Sequence, residues 1–184
     1  MSSRKLKAGT MGLRSMSDAG LTVLGKLRKV ADYQFGRGAG ENLFPGNITV
    51  VFSKRTGQIR HIYLEGKLLA TLRPRDGLLS LAIDGGKRLM EGVIVTRAWV
   101  QVQEDAVDFV KKGGDLFARH VVDVGEELRP GEEVVVLDKN KRVIAVGRTM
   151  LSGDEMKEFK RGVAVRVRRG SLEKPKKHER NDSR

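Results

Sequence analysis

From residue 93 to residue 170 the chain is a succession of short β-branched runs cut by glycine and proline turns, with one short helical stretch among them. Runs of four to eight residues rich in Val and Ile, bounded by turn residues, read as strands. They place strands at 93–102, 116–122, 133–137, 143–150 and 162–169. The helical stretch is 104–112. Glu104 and Asp105 stand at its start and Lys111 and Lys112 at its end, the order the helix dipole favours, and Gly113-Gly114 breaks it. Ser152 followed three residues later by Glu155 forms a capping box for a last helical turn reaching Phe159. Several short strands and one short helix close into a small sheet. A basic, glycine-containing loop is left on its surface between helix and strand.

The first half carries a different pattern. Leu21, Leu24, Leu27, Val30 and Ala31 recur at helical spacing, with Ser17 and Asp18 as candidate caps and Gly36 as terminator. A β-meander is expected next, with strands at 48–53, 58–64, 68–73 and 78–83. Its turns are Lys54-Arg55-Thr56-Gly57, Glu65-Gly66-Lys67 and Pro74-Arg75-Asp76-Gly77, and Gly85-Gly86 ends the last strand. The boundary between domains falls at 87–92. Residues 1–16 are expected to be a flexible basic arm, 17–90 an α/β domain, 91–170 a second domain, and 171–184 a disordered polar tail.

Charge points to a polyanionic partner. The formal net charge is +13, and residues 1–92 hold 16 Lys and Arg against 7 Asp and Glu. A field of that sign draws in nucleic acid and makes binding salt-dependent. There are no cysteines, so disulfides, cysteine nucleophiles and thiolate metal sites are excluded. His61, His120 and His178 show no ligand spacing, so no metal and no cofactor are expected. The N-terminus lacks a signal-peptide apolar core, and no apolar run approaches membrane-spanning length, so a cytoplasmic protein without a membrane partner is expected.

Two motifs need weighing. Gly36-Arg37-Gly38-Ala39-Gly40 follows a helix and precedes a meander, so it reads as a terminator and loop, not a phosphate-binding turn opening a helix. Lys111-Lys112-Gly113-Gly114 with Arg119 and His120 can admit an RNA backbone closely and neutralise its phosphates. The last strand alternates, with Arg166 and Arg168 on one face and Arg169 beside them, suited to phosphate contact. The alternative for both is an ordinary helix end and a solvated strand face. Lys54, Arg55, Arg60, Arg73, Arg75, Lys87 and Arg88 extend the basic surface over the turns of the first half. Aromatic residues are only 5% of the chain, which favours recognition of a folded RNA by backbone and shape over base stacking.

At these residues the chain resembles a known family. D-A-V-D-F-V-K-K-G-G-D-L-F-A-R-H-V-V, P-G-E-E-V-V-V-L-D, V-I-A-V-G-R-T-M-L-S-G-D-E-M and G-V-A-V-R-V-R-R-G resemble the PUA domain of archaeal tRNA-guanine transglycosylase, the archaeosine enzyme. V-A-D-Y-Q-F-G-R-G-A-G, S-K-R-T-G-Q-I-R and L-L-A-T-L-R-P-R-D-G-L-L-S-L resemble the accessory domain preceding it. The resemblance implies an α+β protein: an N-terminal helix and antiparallel meander followed by a PUA-type β pseudo-barrel with short helices. That enzyme's catalytic (β/α)-barrel, with its aspartates and zinc cysteines, has no counterpart. The implied protein is a free-standing, non-catalytic binder of structured RNA, with tRNA and its acceptor stem as target. The alternatives are an RNA-binding subunit of a split transglycosylase or other RNA-modification complex, and a ribosome-biogenesis factor. The expected contact set is Lys111, Lys112, Gly113, Gly114, Arg119, His120, Arg148, Arg166, Arg168 and Arg169 in the second half and Arg73, Arg75, Lys87 and Arg88 in the first.

Overall fold

The computed structural model describes residues 10–12, 18–91 and 97–173. The fold is α+β, built as two sheets with a helix wedged between them. Helix α1 (Asp18–Phe35) turns Leu27, Ala31 and Phe35, spaced by four, into the core. It stops at Gly36, whose φ of 106° is left-handed and whose amide donates to the Asp32 carbonyl. The expected loop after it contains a short helix, α2 (Ala39–Leu43). Gly40 there lies against the backbone of Arg28 too closely for any side chain.

The meander is β2 (Thr49–Phe52), β3 (Ile59–Leu64), β4 (Lys67–Leu72) and β5 (Leu79–Leu81), antiparallel throughout. Glu65 and Gly66 both have positive φ, the geometry a two-residue hairpin needs to match strand twist. The flanking turns are built alike. Ser53 and Arg73 each donate to a carbonyl five residues on, and Gly57 and Gly77 close the loops at positive φ. Part of the expected arm is structured: β1 (Thr10–Gly12) pairs with the outer edge of β2. The rest of the arm lies outside the described residues.

The expected end of the last meander strand at Gly85-Gly86 is corrected. After β5 the chain forms α3 (Ile83–Glu91), and Gly85-Gly86 lie inside it. Glycine pairs usually signal a break. Here both are demanded by packing. A Cβ on Gly85 would meet the Leu69 carbonyl oxygen, and one on Gly86 would sit 2.9 Å from Val135 and 3.1 Å from Val146.

The second sheet runs β7-β11-β10-β9-β6-β8, antiparallel except for the parallel pair β6–β9. Its strands are β6 (Trp99–Val102), β7 (Leu116–Phe117), β8 (Val121–Val124), β9 (Glu133–Leu137), β10 (Val143–Thr149) and β11 (Val163–Gly170). The expected strand 116–122 is interrupted by a 3-10 turn, Ala118–His120, with Ala118 donating to Gly162. That bend lets β7 pair with β11 and β8 with β6, as a closed sheet requires. The helix at 104–112 appears as a 3-10 turn, Glu104–Ala106, continuing into α4 (Val107–Lys111). Helix α5 (Gly153–Glu158) carries the complete capping box of Ser152 and Glu155.

Strand β9 is buried along its whole length. Val134 and Val136 face the core of the second sheet, while Val135 and Leu137 face the other way, into the core of the first domain. Continuous burial explains its unbroken Val-Val-Val-Leu, since both faces are covered. The two cores therefore share β9 and β10, with Val143 and Val146 joining the first and Ile144 and Ala145 the second.

Candidate nucleic-acid interface

The basic residues expected from the sequence fall into separate groups. One borders a groove between the domains, lined by Leu68, Thr71, Ser80, Leu81, Asp84 and Lys87 on one side and Arg168, Arg169, Gly170, Ser171 and Glu173 on the other. Lys87 projects from α3 and is paired at 3.7 Å with Asp84 one turn earlier. The loop Lys111–Gly114 adjoins the groove at the end of β11. A Cβ on Gly170 would overlap the Lys111 carbonyl and lie 2.6 Å from the Gly113 nitrogen. Leu172 donates to the Lys111 carbonyl, and Gly113 has φ 93°. Backbone contact thus joins the glycine-basic loop to the end of the last strand, and glycine at both places makes the approach possible.

A second group lies farther along β11. Arg148 and Arg166 are cross-strand partners, so they share one sheet face. Both are exposed. Arg148 donates through Nε to the Gly131 carbonyl at 2.6 Å, and Arg166 makes no ion pair with another described residue. Arg73 and Arg75 sit on the β4–β5 turn. Arg73 holds Asp76 through two contacts of 3.1 Å, while Arg75 is exposed and unpaired among the described residues. Burial works against the Asp76 carboxylate, but the Leu78 amide and Arg73 outweigh it and hold its pKa below the ordinary value.

Arg119 and His120 lie apart from these groups, in the 3-10 turn. Arg119 Nε donates to His120 Nε2 at 3.0 Å, and His120 Nδ1 lies 3.4 Å from Asp105 Oδ1. Arg88 is half-buried on α3, and its Nε is buried without a partner among the described residues.

Arg168, expected in the phosphate-contact strand, lines the groove but also has an internal partner. Its guanidinium is turned inward onto Glu133, a fully buried side chain on β9, through Nη1 at 3.0 Å and a second, shorter contact through Nη2. Nη2 also donates to the Leu81 carbonyl at 2.7 Å, and Glu133 Oε1 accepts from the Leu81 amide at 2.7 Å. Three elements, β5, β9 and β11, are tied by one closed set of hydrogen bonds. Burial pushes the Glu133 carboxyl up in pKa, against the lowering influence of Arg168 and the Leu81 amide. Alternation along β11 puts Arg168 on the same face as Arg166. Nothing in the sequence shows that a buried glutamate waits opposite one of them.

Glu173 lies at the start of the segment expected to be a disordered polar tail. Its carboxylate accepts from the Gly170 amide at 2.8 Å and packs on Gly113. Among the described residues no group of three or more His, Cys, Asp or Glu converges to hold a metal ion, and no helix is long and apolar enough to cross a membrane.

The sheet order, the short helices and the glycine-basic loop are those of a PUA-type pseudo-barrel preceded by a helix-and-meander domain. Comparison with known proteins agrees. Residues 98–171 match the PUA domain family, and residues 25–93 match the patch-forming domain C2 of tRNA-guanine transglycosylase. The chain thus carries a match to each of these two domains, with the PUA domain second. The tRNA-guanine(15) transglycosylase of Thermococcus kodakarensis is 48% identical over 141 residues, which are 77% of this chain and 24% of that protein. That of Methanobrevibacter smithii is 36% identical over 170 residues, 91% of this chain and 26% of that protein. The chain thus spans about a quarter of the length of these relatives. In fold it is similar to a hypothetical protein of Pyrococcus horikoshii, with a TM-score of 0.68 at 24% identity over 90% of this chain and 96% of that one. It is also similar to a conserved PUA domain protein of Thermoplasma acidophilum, with a TM-score of 0.62 at 19% identity over 90% of this chain and 95% of that one.

Proposed function

We propose that this protein binds structured RNA, with tRNA as its target and the acceptor stem as the part gripped, and that it does so without catalysing a reaction. The observation that carries the reading is the meeting of three basic elements from two domains at one groove. Lys87 on α3 and Arg169 near the end of β11 line it, and the loop Lys111–Gly114 adjoins its edge through backbone contact with Gly170. A groove of this kind suits the regular phosphate spacing of an RNA stem, because cations positioned on separate rigid elements read backbone and shape together. The net charge of +13 supplies long-range attraction. The match of both domains to tRNA-guanine transglycosylase supports tRNA over other folded RNAs.

Filter binding of the protein to a tRNA transcript across a salt series tests this. Engagement of five to six phosphates gives a log–log slope of about −5. A flat salt profile, or no binding at low salt, overturns the proposal.

A second reading draws on the likeness to tRNA-guanine(15) transglycosylases. The protein delivers tRNA to a separate tRNA-guanine transglycosylase that acts on it. Stimulation of such an enzyme in trans, measured as guanine exchange at limiting tRNA, is the expected outcome. An unchanged rate leaves the protein as a binder acting alone.

A further inference from the structure

We infer that the Gly170 amide, beside the open face of Gly113, is a docking point for an RNA phosphodiester, and that the chain's own Glu173 carboxylate fills it when RNA is absent. The inference rests on the RNA-binding reading and places one contact within it. Glu173 Oε2 accepts from the Gly170 amide at 2.8 Å, while Glu173 itself donates its amide to the Gly170 carbonyl at 3.2 Å. Its carboxylate lies in the space where any other residue at 113 would place a side chain. A Cβ there would be 2.8 Å from the carboxyl carbon and 3.1 Å from each oxygen. Gly113 therefore creates a notch the size of a planar anionic group, with a backbone donor at its edge. Carboxylate and phosphate oxygens both accept a charge-assisted hydrogen bond from an amide, so one anionic oxygen of a phosphodiester can take the place of the Glu173 oxygen at the Gly170 amide.

The surroundings favour an anion that arrives from outside. Lys111 and Lys112 precede the notch in the chain, and Arg169 and Lys87 line the groove into which it opens. The neighbouring backbone donors are already used: Gly113 bonds Val110, Gly114 bonds Phe109, Ser171 bonds Ile144 and Leu172 bonds Lys111. The Gly170 amide instead spends its bond on a side chain, that of Glu173. RNA must displace Glu173 before it can use the site, so Glu173 weakens binding and discriminates against weakly held polyanions.

Two measurements test this on the full chain. Glu173→Ala and Glu173→Gln are compared with wild type in tRNA affinity, with Asp108→Asn, an exposed carboxylate on α4, as the control for charge alone. Glu173→Ala is expected to bind tRNA roughly fivefold more tightly, the size of one ordinary net hydrogen bond, and Asp108→Asn to change affinity much less. Glu173→Gln keeps an acceptor for the Gly170 amide and so controls for loss of folding. It is expected to fall between wild type and Glu173→Ala. Separately, inorganic phosphate is titrated at constant ionic strength while the Gly113 and Gly170 amide signals are followed by NMR. They are expected to shift and saturate in Glu173→Ala and to move far less in wild type. Equal or weaker tRNA binding by both Glu173 variants overturns the inference, as does a gain in Asp108→Asn as large as that in Glu173→Ala. Failure of phosphate to move the two amides also overturns it. If wild type does not bind tRNA at all, the functional reading fails, while the phosphate titration still decides whether the notch is an anion site.

Discussion

Arg166 and Arg168 stand two apart on one strand, and from their spacing they are equivalent. Their surroundings make them opposites. Arg166 is exposed beside Arg148, whereas Arg168 neutralises the buried Glu133 and bonds the Leu81 carbonyl. Arg166→Ala is expected to lower tRNA affinity about fivefold with the melting temperature unchanged, since exposed substitutions rarely move stability by more than about 0.5 kcal/mol. Arg168→Ala leaves a buried carboxylate without its partner and should cost about 3 kcal/mol in urea unfolding. That cost depends on pH. Burial raises the Glu133 pKa in the fold above its unfolded value, so between the two the folded state holds a proton that the unfolded chain has released. Stability from this group therefore grows as pH falls through the folded pKa, and the Arg168→Ala deficit should be largest at neutral pH and shrink on acidification. A deficit that stays constant with pH would show that Glu133 is not its source.

Helix α3 shows how an element can be hidden by its own requirements. Gly85 and Gly86 lower helix propensity and read as a stop, yet they are what lets the helix lie between two sheets. Gly85→Ala drives a methyl into the Leu69 carbonyl, which belongs to a strand and cannot retreat. A loss of at least about 2 kcal/mol by urea unfolding is expected, despite alanine's better helix propensity. A neutral or stabilising effect would mean the helix can slide. Elements governed by local rules were legible: α1 with its glycine stop, the meander with its three turns, and the capping box on α5. The short α2 and the 3-10 bend at 118–120 were not, because each exists to meet a distant partner: the backbone of Arg28 for α2 and the Gly162 carbonyl for the bend.

The protein as a whole behaves as one body because its domains share strands. Val135, Leu137, Val143 and Val146 belong to the second sheet but are buried in the first core, and the set formed by Glu133, Arg168 and Leu81 crosses the same boundary. Urea unfolding followed by the fluorescence of Trp99, the single tryptophan, and by far-UV circular dichroism should give one coincident transition. Two separated transitions would contradict the shared core. The same sharing places the groove, since Lys87 lines it across from Arg168 and Arg169 only because α3 is clamped between the sheets. Fold class, strand content, the glycine-basic loop and the cationic balance could all be read from residue order, because periodicity, turn chemistry and charge are local or additive properties. Which arginine holds the domains together, and that a tail glutamate occupies the notch at Gly113, depended on residues far apart in the chain. Burial and ion pairing are set by what folding brings opposite each side chain, and no local pattern records that.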